Sequence, residues 1–256
     1  MDPDDSGEWW KHFHIPEMAD VLLARSDAEV ATLLEFLQRE LNLDPGDHIF
    51  DQCCGSGSLA IPLASAGFQV TGCDLFEPYI NRAIADSADH ISPPRFVCAD
   101  AFTFVPDEPC DAVINWYTSF GYAADDAQNS EMLIRAFESL KPGGRFAVDL
   151  LNIPGLLANF MPVTTHSGCS AGRQVHLTRT STLDFARGLL RQIWQWEIEG
   201  EAPITRSSAM KMYPPNRVCE LVTEAGFTDA RLFGSDGGQP YDFTSPRLIV
   251  VARKPA

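Results

Sequence analysis

Basic residues are scarce in this chain of 256 residues: 19 Lys and Arg face 35 Asp and Glu, for a formal net charge of −16. That sign argues against nucleic acid or an anionic membrane face as a partner, since either one requires a basic patch. It suits a small neutral or cationic ligand. No apolar run approaches the roughly 18 residues a membrane span needs, and the opening MDPDDSGEWW is acidic where a secretion signal is basic. We therefore expect a cytoplasmic protein. The 7 Cys contain no Cys-x-x-Cys pair, which predicts reduced, mostly buried thiols and neither a disulfide framework nor structural zinc. His-Glu-x-x-His is also missing, so no metal is expected.

What is present is patterned. Residues Ser26 to Leu41 predict a helix, with Val30, Leu33, Leu34, Leu37 and Leu41 on one face and Ser26 with Glu29 as a capping box. From there to Leu151 short β-rich runs (48–51, 69–74, 95–98, 112–116 and 144–151) alternate with helical ones (59–66, 78–88 and 129–140). That alternation predicts an α/β fold with a parallel sheet covered on both faces. Beyond Asn152 three long stretches rich in Thr, Val, Ile and Trp (174–185, 188–200 and 204–213) predict an antiparallel three-stranded insertion. A helix over 215–224 and two strands, 229–233 and 247–252, close the chain. The expected units are an N-terminal segment 1–25, an α/β core 26–152, a β insertion 153–213 and a closing unit 214–256.

The informative segment is Asp51-Gln52-Cys53-Cys54-Gly55-Ser56-Gly57, between a strand and a helix. Glycine there lets backbone approach a ligand with no Cβ in the way. Asp74 ends the second strand, where a carboxylate can accept ribose hydroxyls, and Asp100 follows the third, where it can accept from an exocyclic amine. Together with Asp51 these acids fall at the carboxyl ends of successive strands, the ligand edge of an open sheet. Taken singly, each Asp is equally readable as a cap or turn residue.

These residues, with Gly72-Cys73-Asp74-Leu75, Asp100-Ala101, Leu140-Lys141-Pro142-Gly143-Gly144, Glu224-Ala225-Gly226-Phe227 and the ending Ser245 to Lys254, resemble the class I S-adenosylmethionine-dependent methyltransferases over roughly His48 to Lys254. The resemblance implies a Rossmann-like three-layer sandwich whose seven-stranded, mostly parallel sheet has an antiparallel last strand, with the small antiparallel β insertion added. It implies S-adenosylmethionine as cofactor. Asp51, Cys53, Gly55, Gly57 and Asn115 would hold its methionyl part, Asp74 the ribose, and Leu75, Asp100 and Ala101 the adenine. Where the family usually has Gly this chain has Cys53, so a tighter loop is expected there.

The expected reaction is methyl transfer to an N or O atom, less readily a C atom, of a small-molecule acceptor, in a monomer or homodimer. The same glycine loop also permits an NAD(P)-dependent oxidoreductase, and the fold permits a non-catalytic adenosine-ligand-binding protein. The aromatic run Asn115 to Tyr122 leaves the fourth strand at the ligand edge, and ring faces attract sulfonium or ammonium. The resemblance puts this run beside the transferring methyl, which makes Tyr117 the first candidate catalytic group and Trp116 a lining residue. Two Trp near the terminus, Trp9 and Trp10, have to fold onto something apolar; the resemblance makes residues 1–25 a lid, with Trp10 at the substrate and His14 as a candidate base. Trp194 and Trp196 form an apolar face of the insertion that roofs the acceptor pocket or makes a dimer contact. Arg206 and Tyr213 complete the candidate substrate and catalytic sets.

Overall fold

The structure, a computed structural model, describes residues 8–256. Eleven strands and six α-helices are present among them: α1 (Asp27–Glu40), β1 (His48–Gln52), α2 (Ala60–Ser65), β2 (Gln69–Asp74), α3 (Glu77–Asp86), β3 (Arg95–Cys98), β4 (Cys110–Asn115), α4 (Asp126–Ser139), β5 (Leu140–Leu151), α5 (Ile153–Ala158), β6 (Val163–Ser170), β7 (Arg173–Asp184), β8 (Leu189–Ile198), β9 (Ile204–Lys211), α6 (Pro215–Glu224), β10 (Thr228–Phe233) and β11 (Arg247–Arg253). The capping box of α1 forms: Glu29 N–H donates to the Ser26 hydroxyl, and Ser26 N–H donates to the Glu29 carboxylate. Both orphan donors at that helix start are satisfied.

Seven strands make the main sheet in the order β10-β11-β5-β4-β1-β2-β3. β11 runs antiparallel to both β10 and β5, and the other pairings are parallel. Side-chain direction alternates along a strand, and here it sorts the core into two layers. Ile49, Ala112, Ile114 and Ile249 pack against α1 and α2 through Leu33, Phe36, Leu37 and Leu63. Phe50, Val113, Phe146 and Val250 pack against α4 and α6 through Met132, Leu133, Val218 and Leu221. This is the expected three-layer sandwich.

The insertion departs from expectation in its size. It is a sheet of four strands, β6-β7-β8-β9, where the sequence reading gave three. β6 was overlooked because Val163-Thr-Thr-His-Ser-Gly-Cys-Ser carries one large aliphatic residue and sits at the sheet edge with most of its side chains outside the core. Backbone pairing with β7 over eight residues, not side-chain burial, makes it a strand.

A third core joins the insertion to the start of the chain. Trp9, Trp10, Phe13, Ile15 and Met18 pack with Val175, Leu177, Trp194, Trp196 and Ile198. Burying a large aromatic side chain contributes about 1.5–3 kcal/mol, so this cluster fixes the segment firmly. Polar ties add to it. Trp9 Nε1 donates to both Tyr122 O and Ala209 O at 3.1 Å, the Tyr79 hydroxyl donates to Ile15 O at 3.1 Å, and Asp20 pairs with Arg82 at 2.7 Å. Within the expected 1–25 segment, residues 1–7 lie outside the described ones; residues 8–25 bridge the insertion and α3.

Candidate active site

The carboxyl ends of β1, β2 and β4, the N-terminal segment and the inner face of the insertion enclose a cavity of about 250 Å³. A smaller one of about 70 Å³ adjoins it beyond the end of β2 and the turn after β3. His14, Cys53, Asp74, Ser119 and Tyr122 form walls of both. The site is one tract with a wide end under the insertion and a narrow end beside Leu75 and Asp100.

The loop after β1 is shaped for close approach. Cys53 has a φ of +66°, a left-handed conformation that costs a residue with a Cβ roughly 1–2 kcal/mol. The departure from glycine noted in the sequence therefore puts a strained thiol, not a tighter turn, at the wall between the two cavities. Gly55 borders the wide end. Gly57 does not: it has a φ of +81°, and a Cβ there would meet Phe96 at 3.0 Å and Ala83 at 3.2 Å, so it serves the packing of the loop against α3 and β3.

Asp74 accepts from Gly55 N–H at 3.0 Å through one carboxylate oxygen and from Phe76 N–H at 2.9 Å through the other. Each oxygen retains a further lone pair toward the cavities. Burial raises the Asp74 carboxyl, opposed by the Phe76 N–H, His14 and the Gly55 and Leu75 N–H groups. Asp51 is buried at the end of β1 with one carboxylate oxygen unpartnered among the described residues. Burial, and then the charge of Asp74, push it up to about 7. Asp74 lines both cavities and Asp51 stands behind it, bordering neither; two buried carboxylates so placed, both held above their ordinary range, form a site that a cation would relieve.

Asn115 stands behind this rim and borders neither cavity. Its Nδ2 donates to Gln52 Oε1 at 3.1 Å, and its own carbonyl oxygen is unpartnered. Gln52 in turn donates to Ala101 O at 3.4 Å and Met132 O at 3.1 Å, tying β1 to the turn after β3 and to α4. The sequence reading passed over Gln52; a polar residue on the inward parity next to Phe50 was the available signal. Leu75, Asp100 and Ala101 line the narrow end, with the Asp100 carboxylate accepting from Phe102 N–H at 3.0 Å.

Tyr117 and Trp116 line the wide end. Tyr117 and Thr118 have φ values of +60° and +65°, a strained pair for residues with side chains. Asp149, buried near the C-terminal end of β5, holds them: it accepts from Tyr117 N–H at 3.0 Å and from Arg247 Nε at 2.7 Å, while Arg247 Nη2 donates to Thr118 Oγ1 at 2.6 Å and also pairs with Asp149. An Asp within Phe-Ala-Val-Asp-Leu-Leu was a legible but unread sign of this support. Burial pushes the Tyr117 hydroxyl up to about 12, and the Arg25 guanidinium lies 4.6 Å from its ring centre. His14 is kept neutral by burial, against the pull of Asp74. It sits between the rings of Phe76 and Tyr79, at 5.9 and 5.8 Å.

Four further candidates depart from the place expected of them. Tyr213 donates its hydroxyl to Asp126 at 2.9 Å and accepts from Asn129 at 3.0 Å, bordering only a void of about 10 Å³ away from the rim. Trp196 is fully buried between the insertion and the N-terminal segment; its neighbour Trp194 reaches the cavity instead. Trp10 lines the narrow end against Phe102, not the wide end. Arg206 shares a strand face with Ser208 and Met210 but borders neither cavity, and it donates to Thr205 O at 3.1 Å.

Residues 49–144 match the protein family described as a methyltransferase domain. The chain is similar to the S-adenosyl-L-methionine-dependent Diels-Alderase iccD of Talaromyces variabilis, 26% identical over 244 residues that cover 90% of this chain and 82% of that protein. Among solved structures it is similar to a S-adenosylmethionine-dependent methyltransferase from Clostridium acetobutylicum (TM-score 0.77, 14% identity, 94% and 96% of the two chains). It is also similar to the sugar N-methyltransferase KedS8 from Streptoalloteichus (TM-score 0.70, 18% identity, 90% and 88%). Residues 49–144 thus form a methyltransferase domain, and these similarities support the resemblance to the class I S-adenosylmethionine-dependent methyltransferases. The methyltransferase takes S-adenosylmethionine as cofactor, so the oxidoreductase and non-catalytic readings give way. The residues present fit that group: unpartnered Asp51 and Asn115 oxygens and an acidic rim suit a ligand that carries an ammonium and a sulfonium. Among the described residues of the methyltransferase, no helix is long and apolar enough to cross a membrane.

Proposed function

We propose that the enzyme methylates an N or O atom of a small-molecule acceptor held in the wide cavity between the glycine loop and the insertion. Bound S-adenosylmethionine would supply an electrophilic methyl on a sulfonium, which the acceptor atom would displace from sulfur as it gives up its proton. The single observation that carries this reading is the pair of buried acids, Asp51 and Asp74, at the rim beside an aromatic-lined cavity. Asp74 accepts the ribose hydroxyls. Leu75, Asp100 and the Ala101 backbone receive the adenine. Asp51 and Asn115, behind the cavity wall, would direct unpartnered oxygens toward the ammonium, and the loop from Cys53 to Gly55 would border the methionyl chain.

Most of the rate enhancement in such a displacement comes from alignment and exclusion of water. Trp9, Phe13, Trp116, Tyr122 and Trp194 supply the walls that exclude it. Tyr117 stays protonated at neutral pH and donates to the acceptor. His14 stays neutral and borders both cavities, which suits it to receive the acceptor proton. A cytoplasmic enzyme with no nucleic-acid partner fits the acidic surface, and similarity to a sugar N-methyltransferase supports a nitrogen acceptor.

Incubation with S-adenosylmethionine and a panel of amines, amino sugars and phenols, read by release of S-adenosylhomocysteine and gain of one methyl, tests the reading. Conversion of an acceptor without release of S-adenosylhomocysteine would instead move the enzyme to the chemistry named for its Talaromyces relative. No binding of S-adenosylhomocysteine at all would sink the assignment of the rim.

A further inference from the structure

Among the described residues that line the wide cavity, Arg179 is the only Lys or Arg. It projects from β7 on the same face as Val175, Leu177 and Ser181, which are buried. Its Nε donates to Thr164 Oγ1 at 3.1 Å, and its guanidinium carbon lies 5.0 Å from the ring centre of Trp194, itself a cavity wall. Among the described residues no carboxylate pairs with it, and burial alone lowers its affinity for its proton. A guanidinium nevertheless keeps its charge. Burial and the Arg179 charge lower the proton affinity of the neighbouring His166 ring, and an imidazole offers a guanidinium no negative charge.

The rest of that end of the cavity is made of Gln192, Ser208, Met210 and the Trp194 ring, with Gln192 committed to Ser181 and the Ser208 hydroxyl accepting from Trp194 Nε1. The terminal nitrogens of Arg179 are thus the charged donors there, arranged as a fork that matches a carboxylate. A part-buried charge with no ion-pair partner is costly unless something pairs with it. The acidic rim at Asp51 and Asp74 lies at the glycine-loop end, and Arg179 lies at the insertion end. The tract therefore has an anionic pole suited to the cationic cofactor and a cationic pole on the insertion.

Building on the proposed placement of the acceptor in this cavity, we propose that Arg179 is a specificity-determining residue that binds a carboxylate on the methyl acceptor. The acceptor is then a small organic acid with an apolar, ring-sized body against Trp194 and Phe13 and an amine or hydroxyl directed to the glycine-loop end. Arg191 and Lys211 do not share this position: Arg191 lies 3.7 Å from Asp184, and Lys211 donates to Arg187 O at 3.2 Å.

The test uses the full chain saturated with S-adenosylhomocysteine and calorimetric titration of three acids, acetate, benzoate and indole-3-acetate, each against its neutral amide. The expected result is that at least one aromatic acid binds tenfold or more tightly than its amide. Arg179→Gln should abolish that preference and Arg179→Lys keep part of it, with the affinity for S-adenosylhomocysteine within about twofold of wild type in both. The proposal is overturned if no acid binds wild type more tightly than its amide, a comparison that needs no variant to fold. It is also overturned if Arg179→Gln keeps the preference, or weakens S-adenosylhomocysteine tenfold, which would assign the guanidinium to the cofactor's own carboxylate. Failure of wild type to bind S-adenosylhomocysteine is a separate result, which removes the proposed cofactor rim.

Discussion

The two walls of the active-site tract are built on opposite terms. At the strand-end rim the polar groups are anchored before any ligand arrives: Asp74 holds the Gly55 and Phe76 amides, Gln52 holds Asn115, and Asp149 with Arg247 holds the Tyr117–Thr118 turn. The cover, made of residues 8–25 and the insertion, is instead an aromatic cluster with few polar ties, and Arg179, which lines the cavity, has no carboxylate partner among the described residues. The rim is thus ordered before any ligand binds, as the cofactor site proposed for it has to be if it acts through alignment. The cover is free to differ, because apolar packing tolerates substitution when volume is kept, and this is where acceptor choice is expected to reside.

The largest effect should come from breaking the rim's deepest support. Arg247→Met leaves Asp149 buried without its cation and should destabilise the fold by about 3–5 kcal/mol. The paired change Asp149→Leu with Arg247→Met should recover part of that loss while leaving methyl transfer slow, because the Tyr117–Thr118 turn loses its clamp. Chemical denaturation of the three variants, with kcat measured alongside, separates the two roles. A single variant as stable as wild type would show that the pair supports nothing.

Next in size is Asp74→Ala. It should weaken S-adenosylhomocysteine binding by about 1.5–3 kcal/mol, the range for hydrogen bonds to a charged group, and calorimetry reads it directly. An unaltered affinity would remove the ribose assignment. By contrast Phe13→Ala, in the cover at the wide end, should shift the acceptor KM with a smaller change in cofactor affinity. Equal effects on both would erase the contrast between rim and cover.

Asp51 provides a pH signature. Its carboxyl sits near 7 in the free protein, above the unfolded value of about 4, so this group's contribution makes folding less favourable as pH rises between those values. A bound ammonium favours the ionised form. Affinity for S-adenosylhomocysteine should therefore rise with pH by up to about tenfold per unit below 7 and level off above it. Asp51→Asn should flatten that profile, weaken binding at pH 8 and raise Tm there by roughly 2–4 °C for each kcal/mol of relief. A wild-type profile already flat across neutrality would contradict the role.

The smallest effect is expected at Cys53. Exchange for Gly removes the cost of a Cβ at positive φ but gives the unfolded chain more freedom, so the net gain should be about 1 kcal/mol or less. A lower Tm in the thermal melt would mean that the thiol's packing at the shared wall outweighs its strain.

Much of the rim was legible because its signals are local. Strand, small-residue loop and terminal acid are neighbours in sequence, so Asp51, Gly55, Asp74 and Asp100 could be read without contacts. The cover was not legible in the same way. The period-2 pattern named Trp194 and Trp196 as one face, yet register against β7 and β9 and the fit of Phe13 decided that Trp194 borders the cavity and Trp196 does not. Tyr213 looked poised to reach inward, but Asp126 and Asn129, distant in sequence, hold its hydroxyl.

The sequence by itself determined the parallel sheet, its loop chemistry and its order of acids, because side-chain period and turn residues are properties of short stretches of chain. Only the tertiary structure decided which aromatics close the tract, that an edge strand of Thr, Ser and Gly joins the insertion, and that Arg179 faces the cavity while Arg206 does not. Those outcomes depend on pairing register and on packing between residues as far apart as Phe13 and Trp194, where the free energy of contact belongs to the pair and neither residue reveals it alone.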